Sequence, residues 1–362
     1  MLISYGATAG DVARVRFSVS PLGETVYSFR MLARPERRRQ HQPWVDDVRL
    51  KLRGVDLRPL RAVIPPTGYI PDFLTPAPTA TLSGIDGELE AVRATSPEDF
   101  VDEVAWMAGD QGTPAAWRQE AALLHRRMLA EPEKAVAQLT ELLFTYWKLA
   151  IEPHWRRMHG VLQSDIRARM RVVESAGSAS VFSSLHERIG WRDNQLTIRS
   201  SYTFHEALGG QGIILVPSIF CGPEVLTMLP PLQSMIVYPR PGVTDLWQNH
   251  GQSLTSPLAA LLGSVRAAVL VALAVPVSTG ELAAEIDVTP GAISQHLAVL
   301  RGCSLVTSQR AGRRVIHSLT ETGEELVRGA GHSPGRSALS LRDSADLDPA
   351  KRLGAALTGV FG

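Results

Sequence analysis

Cysteine is nearly absent. Cys221 and Cys303 are the two among 362 residues, too few and too far apart for a disulfide framework or a thiolate-rich metal site. Lysine is scarce too, at Lys51, Lys134, Lys148 and Lys351, so arginine carries almost all of the positive charge. Neither sign of charge is in excess. Thirty-seven Lys and Arg against 36 Asp and Glu leave a formal net charge of +1, which excludes a global positive field. Attraction to a polyanion must therefore come from local clusters. No run approaches the roughly 18 consecutive apolar residues of a membrane span. The opening MLISYGATAGDVARVRF has no basic segment followed by a long apolar one, so a cytoplasmic location and no membrane partner are expected.

What is present is an ordinary globular composition, 44% apolar and 20% charged, with length enough for two or three domains at about 150 residues each. Val12, Val15, Phe17 and Val19 alternate in part as a strand does, and Pro21 then opens a helix. The run RPERRRQHQP at 34–43 gathers Arg37, Arg38 and Arg39 and reads as a solvated loop. Five prolines within 63–81 exclude helix there. From 97 to 175 four segments, each opening at a proline, repeat apolar residues at spacings of three and four, predicting a helical bundle. QLTIRS, GIILVPSIF and MIVYPR between 191 and 240 predict a small closing sheet.

Residues 257–328 carry a different order of elements. An apolar helix over 264–274 leads through Pro276 to Ser278, which with Glu281 predicts a capping box opening a helix over 278–286. After the turn Asp287-Val288, Thr289 as N-cap and Pro290 at the first position start a second helix that runs to about Gly302. Ile293, His296, Leu297 and Leu300 share its apolar face, with His296 expected as a core histidine. Gly291, Gln295 and Ala298 lie opposite, with Ser294 on the flank. Small residues permit close approach to phosphates, and the Gln295 amide can make paired bonds to an adenine edge. LVTSQ and RRVIHSL then form a hairpin with Gly312 at its tip, crowded by Arg310, Arg313 and Arg314. Six arginines balance six acidic residues over 257–328, so affinity for DNA must depend on that clustering and fall with salt.

These residues, Leu261-Leu262-Gly263 with Arg266, STGELAAEI, AISQHLAVLR and RAGRRVIH, resemble the ArsR family of bacterial regulators, and PDFLTP with LGGQGIILVPSIF resembles its long members that carry an extra N-terminal domain. The resemblance implies a winged helix-turn-helix and a dimer on an operator of inverted repeats, repressing until an effector releases it. Metal-sensing members hold a cysteine pair in the helix corresponding to 278–286, where this chain has none, so it implies no thiolate metal site. Cys303 stands where the family usually has alanine, Ser304 where it has glycine and His317 where it often has tyrosine, so an altered cap on the recognition helix is expected.

The expected architecture is α+β: a mainly helical effector-binding or dimerisation domain over 1–245 with a small sheet, a linker over 246–256, the winged helix-turn-helix over 257–328 and a flexible tail over 329–362. Thr289, Gly291, Ser294, Gln295, Arg310, Arg313 and Arg314 are the expected DNA contacts. Phe73, Trp106, Trp147 and Trp155 are candidates to line a pocket for a non-metal effector, with core packing as the alternative for each. No metal or cofactor is expected. An enzymatic reading finds no centre: His205-Glu206 lacks a second histidine, Cys221 lacks a partner histidine, and GGQG at 209–212 precedes a strand instead of following one. A domain that sets dimer geometry or docks another protein stays open.

Overall fold

Serine, threonine and proline punctuate the helices as their chemistry dictates. The computed structural model describes residues 1–330, except 79–83, 201, 229–231, 248–256, 275, 287 and 312–313. After strand β1 (Leu2–Gly6), Thr8 and Asp11 form a reciprocal capping box on α1 (Ala9–Ala13), so the partial alternation there yields only the two-residue strand β2 (Arg16–Phe17). Ser20 Oγ accepts from Gly23 N at 2.8 Å and caps α2 (Pro21–Leu32). Helices α3 (Gln42–Lys51), α4 (Arg58–Val63) and α5 (Ile85–Arg93) follow. The run at 34–43 is not a solvated loop throughout. It makes two short 3-10 turns, and Arg37 is drawn inward onto Glu224 at 2.9 Å.

The bundle comprises α6 (Pro97–Gly109), α7 (Ala115–Ala130), α8 (Pro132–Tyr146) and α9 (Glu152–Ala176), with short α10 (Ser180–Leu185) behind it. Pro153 does not break the chain as its three predecessors do. A π-turn at Trp147–Ile151 joins α8 to α9 in one continuous run, its wider spacing relieving the clash of the proline ring with the carbonyl four residues back.

Two four-stranded sheets replace the single small one that the periodicity predicts. The first has the order β3 (Ile189–Arg192), β4 (Gln195–Arg199), β1, β5 (Phe204–Ala207), with β1 antiparallel to β4 and parallel to β5. The second has the order β2, β6 (Ile214–Ser218), β8 (Met235–Pro239), β7 (Leu226–Met228). Here β2, β6 and β8 run parallel, and all five residues of β6 are buried, as a strand covered on both faces requires.

Helices and sheets of this part share one apolar core, built around Leu22, Trp44, Tyr146, Ile214 and Tyr238. Leu246 and Trp247, expected in the linker, belong to it. Trp247 Nε1 donates to His41 Nδ1 at 2.9 Å, and burial pushes the His41 imidazole down to about 4. The rest of the expected linker, 248–256, and the expected tail from 331 onward lie outside the described residues.

A second core gathers α11 (Pro257–Leu262), α12 (Ser264–Ala272), α13 (Thr279–Ile286), α14 (Pro290–Gly302) and α15 (Glu321–Gly329) around Leu270, Leu282, Ile293 and Leu297. Its three-stranded sheet has the order β10 (Val306–Ala311), β11 (Arg314–Leu319), β9 (Val277–Ser278). The chain as a whole is α+β, with this unit at its C-terminus. Among the described residues no helix is long and apolar enough to cross a membrane.

Candidate nucleic-acid interface

Thr289 fixes where α14 begins: its Oγ1 accepts from Ala292 N at 3.3 Å, with Pro290 at the first helical position. Ile293, Leu297 and Leu300 bury the inner face, which sets the opposite face outward. Gly291, Ser294, Gln295 and Ala298 are all exposed there. Ser294 Oγ donates back to Pro290 O at 2.9 Å, an exposed bond that the hydroxyl can exchange for an outside acceptor by rotating. His296, expected in the core, is half-buried on the flank of the inner face.

A Schellman motif sets the far end of α14. Ser304 N donates to Arg301 O at 2.9 Å and Leu305 N to Leu300 O at 3.0 Å. Ser304 occupies the left-handed position at φ +57°, where glycine is the unstrained residue. The cap geometry is thus retained despite the substitution, at a cost in strain. Thr320 reinforces it, donating from Oγ1 to Ser304 O at 2.6 Å while accepting from Gly323 N at the start of α15.

The positioning helix α13 is held at its start by one half of the predicted box. The Glu281 carboxylate accepts from Ser278 N at 2.9 Å and from Ser278 Oγ at 2.6 Å, and these bonds, helped by Arg314 at 3.8 Å, hold it below the usual carboxylate range. Beside it an open cleft of about 500 Å³ runs between Ser278–Glu281 and Arg314–Val315 of the wing. Gly280 in the first turn of α13 lines this cleft, and Gly291 is exposed in the first turn of α14. A Cβ built at either meets nothing within 4 Å. Neither glycine is demanded by the protein's own packing, although each costs its helix stability relative to alanine. Helix N-termini stripped of side chains suit close approach of a phosphate to backbone N–H groups.

Pairing of Ala311 with Arg314 and of Arg310 with Val315 fixes the register of the wing. Residues facing each other across an antiparallel ladder project to the same side, so Arg310 and Arg314 leave opposite faces of the hairpin instead of crowding one. Both are exposed. Arg313 and Gly312, expected at the tip, lie outside the described residues.

His317 is a residue that sequence reasoning passed over as a mere family departure. Buried in β11, it exchanges hydrogen bonds with Thr279 Oγ1 at 3.0 Å and Ser308 Oγ at 2.7 Å, tying the wing to the start of α13 alongside the β9–β11 pairing. Burial pushes its imidazole below the ordinary histidine value, with Arg301 adding to the shift. Its place between Val315 and Leu319, the apolar residues two positions away on the same strand face, was the available signal.

The aromatic candidates do not converge. Phe73 packs on Phe100 at 5.3 Å between ring centroids, Trp147 on Trp155 at 5.1 Å, and both Phe73 and Trp147 are core, whereas Trp106 is 69% exposed. Cys221 is buried, with its thiol pushed well up by desolvation and by nearby Glu24. His205 pairs with cross-strand neighbour Ser4 at 2.6 Å. GGQG forms the approach to β6, with Gly212 N donating to Asp11 Oδ1 at 3.2 Å. Among the described residues no cluster of His, Cys, Asp or Glu could hold a metal ion.

Residues 265–308 match the family model described as bacterial regulatory protein, arsR family. This segment is an ArsR-family helix-turn-helix. Over 53 residues the chain is 42% identical to the HTH-type transcriptional regulator Rv2034 of Mycobacterium tuberculosis (strain ATCC 25618 / H37Rv), an alignment covering 15% of this chain and 50% of that protein. The chain thus spans about half the length of the curated relative it matches. No solved structure matches it significantly. The ArsR match runs from α12 through the first half of β10, so it includes the positioning helix, Thr289 and the whole outward face of α14, and stops before β11.

Proposed function

We propose that this protein is a DNA-binding transcriptional regulator in which α14 enters the major groove, Gln295 reads a base edge, and Thr289, Gly291 and Ser294 approach the phosphates. Arg310, Arg313 and Arg314 of the wing meet the backbone or minor groove on either side of the hairpin. The carrying observation is the outward face of the ArsR-type α14, where Gly291, Ser294, Gln295 and Ala298 are exposed and small or polar, and where Gly291 is not required by the fold itself. The active form is a homodimer on inverted half-sites about one helical turn apart. Residues 1–245 form the domain that senses a small non-metal effector in the cytoplasm, and its binding relieves repression. An N-terminal domain serving enzymatic or protein-docking ends is the second reading, and it leaves the DNA contacts unchanged.

Genomic binding sites mapped for the full chain supply a duplex for anisotropy measurements. Gln295→Ala is expected to lose discrimination between that duplex and a scrambled one by about 1–3 kcal/mol, and Arg314→Gln to weaken binding to the mapped duplex and lower its salt dependence. Unchanged binding in both variants refutes the assignment.

A further inference from the structure

The C-terminal half of α2, the 3-10 turn that follows it and the loop leaving β6 bring the guanidinium groups of Arg30, Arg34 and Arg37 around the carboxylate of Glu224. Arg34 Nη1 and Arg37 Nη2 each donate to Glu224 Oε1 at 2.9 Å, and Arg37 Nη1 donates to Gly222 O at 2.8 Å. Arg30, one turn back on α2, is 6% exposed. Its Nε and Nη2 donate to Pro66 O and Gly68 O at 3.2 and 2.8 Å, whereas buried Nη1 has no partner. Glu36 lies on the outer side of Arg34 at 3.9 Å and is mostly exposed, and Glu24, deeper along α2, is pushed up to about 7 by burial. The cluster therefore keeps an excess of positive charge in a poorly solvated place. A buried cation without a counter-ion is costly, and a protein that merely needed to pin this loop could do so with one arginine.

These groups line a small cavity, closed on its other sides by Tyr27, Met31, Phe220, Cys221 and Leu226, with free space of about 10 Å³. That volume admits about one oxygen-sized group. The cavity also sits on the loop that leaves the carboxyl end of β6, beside the parallel strands β2 and β8, where open α/β sheets place their ligand crevices.

We propose that this cluster is an oxyanion site: a carboxylate or phosphate group of a small metabolite directs one oxygen into the cavity toward Arg30 and spans Arg34 and Arg37 at its mouth. Guanidinium groups match the planar spacing of such oxygens and remain charged when buried. Glu224 occupies the same donors when the ligand is away, so the ligand competes with it. The remainder of the metabolite lies outward, past Arg37. This names the ligand class for the sensing domain proposed above and rests on that reading for its regulatory meaning, though not for binding itself.

The test uses the full chain in two separate measurements. Melting is followed during titration with inorganic phosphate and, separately, with malonate, each against chloride at matched ionic strength. Release from an operator duplex is read by anisotropy under the same conditions. One or both oxyanions are expected to raise the melting temperature saturably where chloride does not, and the better of the two identifies the group. Arg37→Gln, at the cavity mouth, is expected to weaken that binding about tenfold through loss of a charge-assisted pair. Glu224→Gln removes the competitor and is expected to tighten it. A structural clamp predicts the opposite pattern: no saturable response, and Glu224→Gln simply less stable. That pattern, or an equal response to chloride, overturns the site. Saturable binding with no change in operator release leaves the site standing and refutes its role in regulation.

Discussion

Gly291→Ala separates what α14 does for the fold from what it does for DNA. A methyl group at 291 meets no protein atom within 4 Å, so nothing in the unit has to move. Replacing glycine in a helix with alanine reduces the entropy lost on folding, and in this first turn the gain is about 0.5–1 kcal/mol. Native-state hydrogen exchange of amides in α14 should slow by about two- to fivefold, since 1.4 kcal/mol corresponds to a factor of ten. The same methyl group projects toward the space where a phosphate would approach the N-terminal amides. Loss of one charge-assisted hydrogen bond from a backbone N–H costs about 1.5–3 kcal/mol, so operator affinity should fall by about ten- to a hundredfold. Anisotropy on the full chain with a mapped site measures it. A variant that is more stable and binds DNA as well as the parent would show that Gly291 does not face the backbone, and would remove the close-approach argument for Gly280 with it.

Three further outcomes test other parts of the unit. Ser304→Gly relieves about 1–2 kcal/mol of left-handed strain and gives back about 0.4–1 kcal/mol through the freer unfolded chain. A net stabilisation of about 0.5–1 kcal/mol in denaturant midpoint, with DNA affinity unchanged, is expected; a loss of stability would contradict the strain. The double variant Arg310→Gln, Arg314→Gln should lower the slope of log affinity against log salt by about two, one for each phosphate contact, and a slope left as it was would take the wing off the DNA. His317 is neutral in the fold and its pKa lies below that of the unfolded chain, so falling pH protonates the unfolded state first. Stability of β10 and β11 is full above about pH 6.5 and declines below it. Hydrogen exchange in these strands at pH 7.5 and 5.5 reads this, and a drop of equal size in His317→Gln assigns it elsewhere.

The C-terminal unit was legible because its signals are local. Thr289-Pro290, the apolar spacing of Ile293, Leu297 and Leu300, and the hairpin residues each act within one or two turns of chain, and each element begins within a residue or two of where its caps require. The N-terminal part was read less well for the opposite reason. Strand β1 becomes a strand by pairing with β4, nearly 200 residues away, and β2 has only two residues of ladder. Nothing in LISYG announces those partners. Arg37 was misplaced for a related reason: a run of arginines is ordinarily solvated, and Glu224, which draws it inward, is remote in sequence. Trp247 looked like linker because a single aromatic after a Pro-Gly turn carries no periodicity, although its indole closes the core against His41.

Register within the wing also changes how its charge is used. Arginines gathered on one face of a hairpin would bind one phosphate strand strongly and indifferently to sequence. On opposite faces, Arg310 and Arg314 can each meet a different wall of a groove, so a narrow groove satisfies both and a wide one satisfies neither well. In the proposed complex Glu281, at 3.8 Å from Arg314, would sharpen the same discrimination, since it offers that guanidinium an alternative partner whenever a phosphate is poorly placed. With acidic and basic residues in balance over 257–328, little long-range attraction remains to hold the protein on arbitrary DNA. Such an interface gains its affinity only when the helix and both sides of the wing are seated together, which favours specificity over tenacity.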